Sequence, residues 1–527
     1  MAGRMPRNQP GQDRSRQCRT ALPLGFGMLG AAIAVVLMAA CSPIDQPLRS
    51  DLQRSDVQQC AAWFVRLDDA IDRAAVRDAE AYRVPGYPYL RVNRFLASFR
   101  DQAQGDPAAF AVWERHLRDL DARARAYELS NLPLPSLVTL GVTDRPAATA
   151  ITNRCSDILA TLDLGSPAAR ETLAARAEVP DDYADWKRAV GLYPVVRWPF
   201  FEFAKGWERQ TTGMFQLAAL GNAEGPRSVR YQPPDNGLTA AQVTELLVGT
   251  KRDALGIPVL SPRERAALIA TFAPVFAVET NGDYDRIGPL QWTGGEAPTV
   301  DVSRPTVFQR LAFTRYGQQT LVQLVYSIWF PERPKTGLID AVSGTLDGLT
   351  FRVTLDPSGH PLVYDSIHNC GCYHMFFPTP RVTAVAPADA SVEWAFIPRQ
   401  LPAIDAPQRI LVRITSGNHY LTDVLPDTGG HGLLYSLVDD GELRTLPIAG
   451  GTRSAFDPDG IVPGTDRGER FVTWTLGLDD AGAMHEWGHH ATALIGRRQF
   501  DDADLIERRF AIVGLADAQV PSPAKPE

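Results

Sequence analysis

The stretch TVFQRLAFTRYGQQTLVQLVYSIWF, residues 306–330, carries its apolar side chains with a period close to two. That period marks strands, so the segment reads as two strands around a turn. TFRVTLDPSGHPLVYDSI, residues 350–367, repeats the pattern around Asp356-Pro357-Ser358-Gly359, and RILVRITSGNHYLTDV, residues 409–424, repeats it around Ser416-Gly417-Asn418. Aspartate, proline, serine and glycine are the residues that tight turns use. Consecutive hairpins predict an antiparallel sheet.

Upstream of about residue 276 the period is helical. Cys60, Trp63, Phe64, Leu67 and Ile71 form one stripe, and Phe110, Trp113, Leu117, Leu120, Ala124 and Tyr127 another. Both read as core faces. YRVPGYPYLRV, residues 82–92, is too rich in proline and glycine to continue a helix. Ser261-Pro262 before RERAALIATF supplies the N-cap and first-turn proline that open one. The expected fold class is therefore α+β, with a helical domain over residues 41–275 and an α+β domain with antiparallel hairpins over 276–515. The tail, 516–527, ends in PSPAKPE and is expected to be disordered.

The first forty residues read as an address. Arg4, Arg7, Arg14, Arg16 and Arg19 precede the apolar run ALPLGFGMLGAAIAVVLMAAC, the layout of an export signal. Its end, Leu37-Met38-Ala39-Ala40-Cys41, resembles a bacterial lipobox, with Met38 where leucine is commoner. The resemblance implies cleavage before Cys41 and acylation (palmitate among the chains) of that cysteine. Ser42, not aspartate, follows, which resembles the outer-membrane sorting rule. The expectation is a lipoprotein of the bacterial cell envelope, held to the membrane by lipid on Cys41 and facing the periplasm. Net charge −8 and a pI near 5.7 argue against nucleic acid as a partner. No fixed-period repeat is present.

Six cysteines occur. Cys18 leaves with the signal and Cys41 takes lipid, so Cys60, Cys155, Cys370 and Cys372 remain. An oxidising compartment permits disulfides. Cys60 and Cys155 lie on helical patterns of one half, which makes Cys60–Cys155 the expected pair.

Of nine histidines only His116 lies outside residues 360–490, which directs any metal or acid–base chemistry to the C-terminal half. Two patterns stand out. In DDAGAMHEWGHHATALIGRR, residues 479–498, His485, Glu486 and His489 spell H-E-x-x-H. Two histidines four apart on a helix can share one zinc ion, and the glutamate after the first can take a proton from a zinc-bound water. HEWGHH resembles the zincin metallopeptidases over about a dozen residues, with ERFVTWTLGL as the strand before the helix and Asp479-Asp480 as its cap. The resemblance implies His485 and His489 as ligands, Glu486 as base and Glu507 as third ligand. Thr492 stands where the extended motif has glycine. On a helical wheel the pair centres about 150° from the stripe Met484, Trp487, Ala491, Leu494 and Ile495, which suits either a cleft or a solvated face.

The second pattern is SIHNCGCYHMFFP, residues 366–378. In an extended strand His368, Cys370, Cys372 and His374 share one face. They could bind a soft metal if Gly371 bent the chain, or act in redox chemistry, or form a Cys370–Cys372 disulfide, or simply pack. The strand region also resembles uncharacterised bacterial envelope proteins. Two functional readings follow: a zinc-dependent, peptidase-like metallohydrolase, or a non-catalytic envelope scaffold or binding lipoprotein in which HEWGH is a solvated helix face.

Overall fold

Several helices of the N-terminal half begin where the sequence supplies a cap. Asp106 accepts from the amide of Ala108 to open Pro107–Asn131, and Asp144 accepts from Ala147 to open Arg145–Asp163. Ser261 and Glu264 form a reciprocal capping box at Pro262–Phe272. The computed structural model describes residues 55–220, 227–234, 237–337 and 340–514. The export signal, Cys41 and the 516–527 tail lie outside the described residues. No helix among the described residues is long and apolar enough to cross a membrane.

The two predicted stripes are buried: Cys60, Trp63, Phe64, Leu67 and Ile71 on Ser55–Arg73, and Phe110, Trp113, Leu117, Leu120 and Ala124 on Pro107–Asn131. They share one core with the hairpin Tyr82–Val84/Tyr87–Val92, into which YRVPGYPYLRV folds around Gly86 at φ +82°. A Cys60–Cys155 disulfide ties Ser55–Arg73 to Arg145–Asp163, as expected.

The C-terminal half is built on a six-stranded sheet in the order Met375–Pro378, Pro361–His368, Gly344–Leu355, Gln319–Arg333, Thr306–Tyr316 and Ser436–Asp439. The hairpins read from sequence are its middle, and all its neighbours are antiparallel except the last pair, which is parallel. The fold is α+β. A second, five-stranded sheet is mixed: Ile410–Ile414 pairs antiparallel with Leu421–Pro426, as the sequence predicts, but parallel with Val275–Glu279. Val275–Glu279 also pairs with Ser228–Gln232, so this sheet spans the boundary expected at residue 275. Leu433–Leu434 completes it, parallel to Ser228–Gln232.

Buried ion pairs join the helical half to the sheet half. Arg310 forks onto both oxygens of Glu80 at 2.8 and 2.7 Å. Arg444 reaches Asp78 at 3.1 Å and Glu80 at 2.6 Å. The segment that closes over this junction is the H-E-x-x-H stretch.

Candidate functional site

Residues 479–498 are not a helix. Gly482, Gly488 and Gly496 sit at φ +84°, +93° and +96°, a left-handed region open to glycine but closed to a right-handed helix. A Cβ on Gly488 would also stand 3.0 Å from the Glu80 carbonyl oxygen. The backbone bonds go to distant partners: His485 N–H to the Asn369 carbonyl, Glu486 N–H to Gly460, Thr492 N–H to Arg498, and the Met484 carbonyl to Val462 N–H. With those groups engaged across the structure, no i to i−4 ladder forms. ERFVTWTLGL is likewise not a strand but two short helical turns, Arg470–Thr473 and Trp474–Leu476. The zincin-like strand, cap and helix are therefore corrected to a glycine-turned loop docked on the helical half.

The loop separates its polar residues. His489 Nε2 bonds the Ala79 carbonyl at 2.9 Å, while Nδ1 faces the Tyr82 hydroxyl at 3.3 Å and Asp182 at 3.4 Å. Burial alone would lower its pKa, but the Asp182 carboxylate more than offsets that and holds the ring at about 8. Glu486 is 3% exposed and faces away from His489, into an inner cavity of about 40 Å³ that it lines with Gln309, Trp329, Arg310 and Arg444. Burial, then the charges of Asp78 and Glu80, push its carboxyl up to about 8. Around it Arg310 and Arg444 are shared among Asp78, Glu80, Asp440 and Glu486. Glu486 Oε1, Trp329 Nε1 and Gln309 Oε1 make no hydrogen bond to the protein there, Arg444 Nε standing 3.9 Å from Glu486 Oε1, and a space of this size suits a small cluster of waters.

Glu507 lies on the short helix Leu505–Arg509, beside Arg315, and lines neither the inner cavity nor the cleft that holds His485 and His489. Among the described residues no three His, Cys, Asp or Glu side chains are grouped to hold a metal ion. With both ring nitrogens of His489 engaged and Glu507 outside the cleft, His485, His489 and Glu507 do not converge on one point as a zinc site needs.

The second pattern is also redistributed. The strand ends at His368, and Gly371 at φ +83° and Tyr373 at φ +61° turn the chain before Met375. His368 points towards Asp347, 3.5 Å away, which also bonds His419 at 2.8 Å. His374 goes the other way, to Asp365 at 2.9 Å, itself clamped by Arg352. The four expected ligands thus do not share a face. Cys370 and Cys372 remain side by side as free thiols, with the Cys372 thiol pushed well up by its neighbour and by burial.

What the loop and the turn build together is a cleft of about 330 Å³. Its apolar wall is Trp207 from the helix Tyr193–Leu220, packed 5.2 Å from Tyr373 and 5.1 Å from Phe396 between ring centres, with Trp394 beside them. Its polar lining is richer in carboxyls (Asp182, Glu208, Glu393, Asp459, Glu469, Asp479 and Asp480) than in cations, of which Arg498 and His489 are present. His485, Cys370 and Cys372 complete the wall. Sequence reading found these last residues but missed Trp207, Trp394 and Phe396, whose only signal was aromatic richness in segments far apart in the chain.

One consequence concerns pH. Because the folded-state pKa of His489 is raised, its contribution to stability is complete below the unfolded value near 6.5 and is lost as pH rises through about 8. Replacing His489 with glutamine should cost about 1–2 kcal/mol at pH 6 and almost nothing of that electrostatic part at pH 9. Denaturant unfolding of both proteins at the two pH values checks it; a cost that grows with pH would reverse the assignment.

In comparison with known proteins, no family model, no curated protein and no solved structure matches the chain.

Proposed function

We propose that the chain is a bacterial envelope lipoprotein, acylated on Cys41 and facing the periplasm from the outer membrane, that binds a small organic cation with an apolar body in the Trp207 cleft. The observation that carries the binding reading is the cleft itself: an aromatic wall of Trp207, Tyr373 and Phe396 in a lining that holds more carboxyls than cations, in a volume within the range of small-molecule sites. Aromatic faces attract cations, and the attraction grows when the cation is partly desolvated. The location rests on the leader and the lipobox resemblance. Zinc has no part in this reading, since Glu486 and His489 are turned to different partners.

Trp207 and Trp394 are two of ten tryptophans, so the change in emission is assigned by comparing the parent with Trp207→Leu. Titration with benzyltrimethylammonium should give saturable quenching, and toluenesulfonate, an aromatic anion of similar size, should give none. Trp207→Leu should weaken the cation about tenfold. Equal responses to both probes, or an unchanged affinity in Trp207→Leu, would refute the cleft as the site.

A further inference from the structure

The helix Tyr193–Leu220 has 28 residues, yet only Ala204, Thr211 and Phe215 are buried. Its outward face is apolar where a surface helix is ordinarily polar. Val195, Trp198 (55% exposed), Phe203 (68%), Leu217 (70%) and Leu220 all point out. Their spacings of three, five, fourteen and three residues keep them, at about 100° per residue, within an arc of roughly 140°, which Glu202 and Arg209 share.

Neighbouring elements extend the patch. The preceding helix Asp185–Val190 exposes Trp186 and Val190, and the turn Arg470–Thr473 exposes Phe471 (72%) and Val472. The helix is tied to the turn that follows Arg470–Thr473, since Ala184 N–H bonds the Gly477 carbonyl and Arg188 Nε bonds that of Leu476. Single exposed apolar residues are ordinary, but a contiguous group of this kind marks an interaction surface.

We propose that this face rests on a lipid bilayer, with the aromatic rings at the headgroup level. Three observations favour lipid over a second protein. First, Trp186, Trp198 and Phe203 alternate with Lys187, Arg188, Arg197, Lys205 and Arg209, five cations against three carboxylates over residues 185–220, with Lys187 paired to Asp479 and Lys205 to Glu208. Aromatic and basic side chains interleaved along two consecutive surface helices are a composition suited to a membrane interface. Second, the cations are on the rings: Lys187 lies 5.2 Å from the centre of Trp186, Arg197 5.4 Å from that of Trp198 and Lys205 5.5 Å from that of Phe201. Third, thirteen residues, Ser42 to Arg54, separate the proposed acylated cysteine from the first helix, a span of at most ~45 Å when fully extended, so a lipid on Cys41 keeps the body within reach of the membrane. Phe203 belongs both to the face and to the wall of the cleft, which sets the cleft's mouth at the lipid surface.

The test uses the chain from residue 42, which retains every described residue and carries no acyl group, so that binding through the surface is separated from anchoring. The described residues, which start at 55, all fall in one compact unit, and this chain keeps that unit whole. Co-sedimentation with vesicles of phosphatidylethanolamine and phosphatidylglycerol should bring the protein down, with weaker partition into phosphatidylcholine alone. The exposed triple variant Val195→Ser, Trp198→Ser, Leu217→Ser should lose at least about tenfold in partition. Its melting temperature and its benzyltrimethylammonium titration should match the parent, which keeps failure of this surface distinct from failure of the cleft. Failure of the parent to bind either vesicle, or equal partition of parent and variant, would overturn the proposal. So would a dimer by light scattering that the triple variant dissociates, which would make the face a contact between copies of the chain.

Discussion

Replacing Glu128 with alanine is expected to destabilise the protein by about 3–5 kcal/mol, the cost of breaking a buried ion network from one side. Glu128 is fully buried on Pro107–Asn131. Its Oε1 accepts from Arg91 at 2.5 Å and from the Asp78 amide at 3.1 Å, and its Oε2 accepts from Arg125 at 3.2 Å. Arg91 and Arg125 are themselves buried and share Asp121, at 3.2 and 3.3 Å. Removing Glu128 leaves two desolvated guanidiniums with too little opposing charge. The comparison is Asp69→Ala, which breaks a surface pair with Arg73 in which both side chains are more than half exposed. Such pairs contribute about 0–1 kcal/mol. Urea unfolding of the two variants against the parent decides it: equal, small effects would mean that the network is hydrated and not the core described above.

The second large effect is expected from the disulfide. Cys60 and Cys155 are 95 residues apart, and closing a loop of that length restricts the unfolded chain strongly. Replacing both with alanine should cost about 2–5 kcal/mol. The parent, mapped without reductant, should yield one linked pair of peptides and free thiols at Cys370 and Cys372. Free thiols at Cys60 and Cys155, or a link from either to Cys370, would contradict the arrangement. A double variant as stable as the parent would show that the helical half holds together without its bridge.

Local pattern was legible where local partners make the structure. The hairpins of 306–368 were readable because each strand pairs with its neighbour in sequence, and the caps at Asp106, Asp144 and Ser261 act within three residues. Ser228–Gln232 was not, because it pairs across 40 or more residues with Val275–Glu279. The loop at 479–498 shows the limit most clearly. Met484, Trp487 and Ala491 have helical spacing, yet Met484 is buried in one core and Trp487 lies under Arg310, each placed by long-range bonds that the spacing does not encode. Gly482, Gly488 and Gly496 were the available signal against a helix. The concentration of histidines puts three of its members, His374, His485 and His489, in the lining of the cleft. It could not show that His368 and His419 turn instead to buried Asp347. The cleft's aromatic wall comes from residues 207, 373, 394 and 396, and only folding joins the first of these to the rest.

The cleft is tested most directly by anomalous diffraction from crystals grown with 4-bromobenzyltrimethylammonium. The expected result is a bromine peak among Trp207, Tyr373 and Phe396, with the ammonium towards the carboxyls. A bromine peak only elsewhere, or a zinc peak held by His485 and His489, would contradict it.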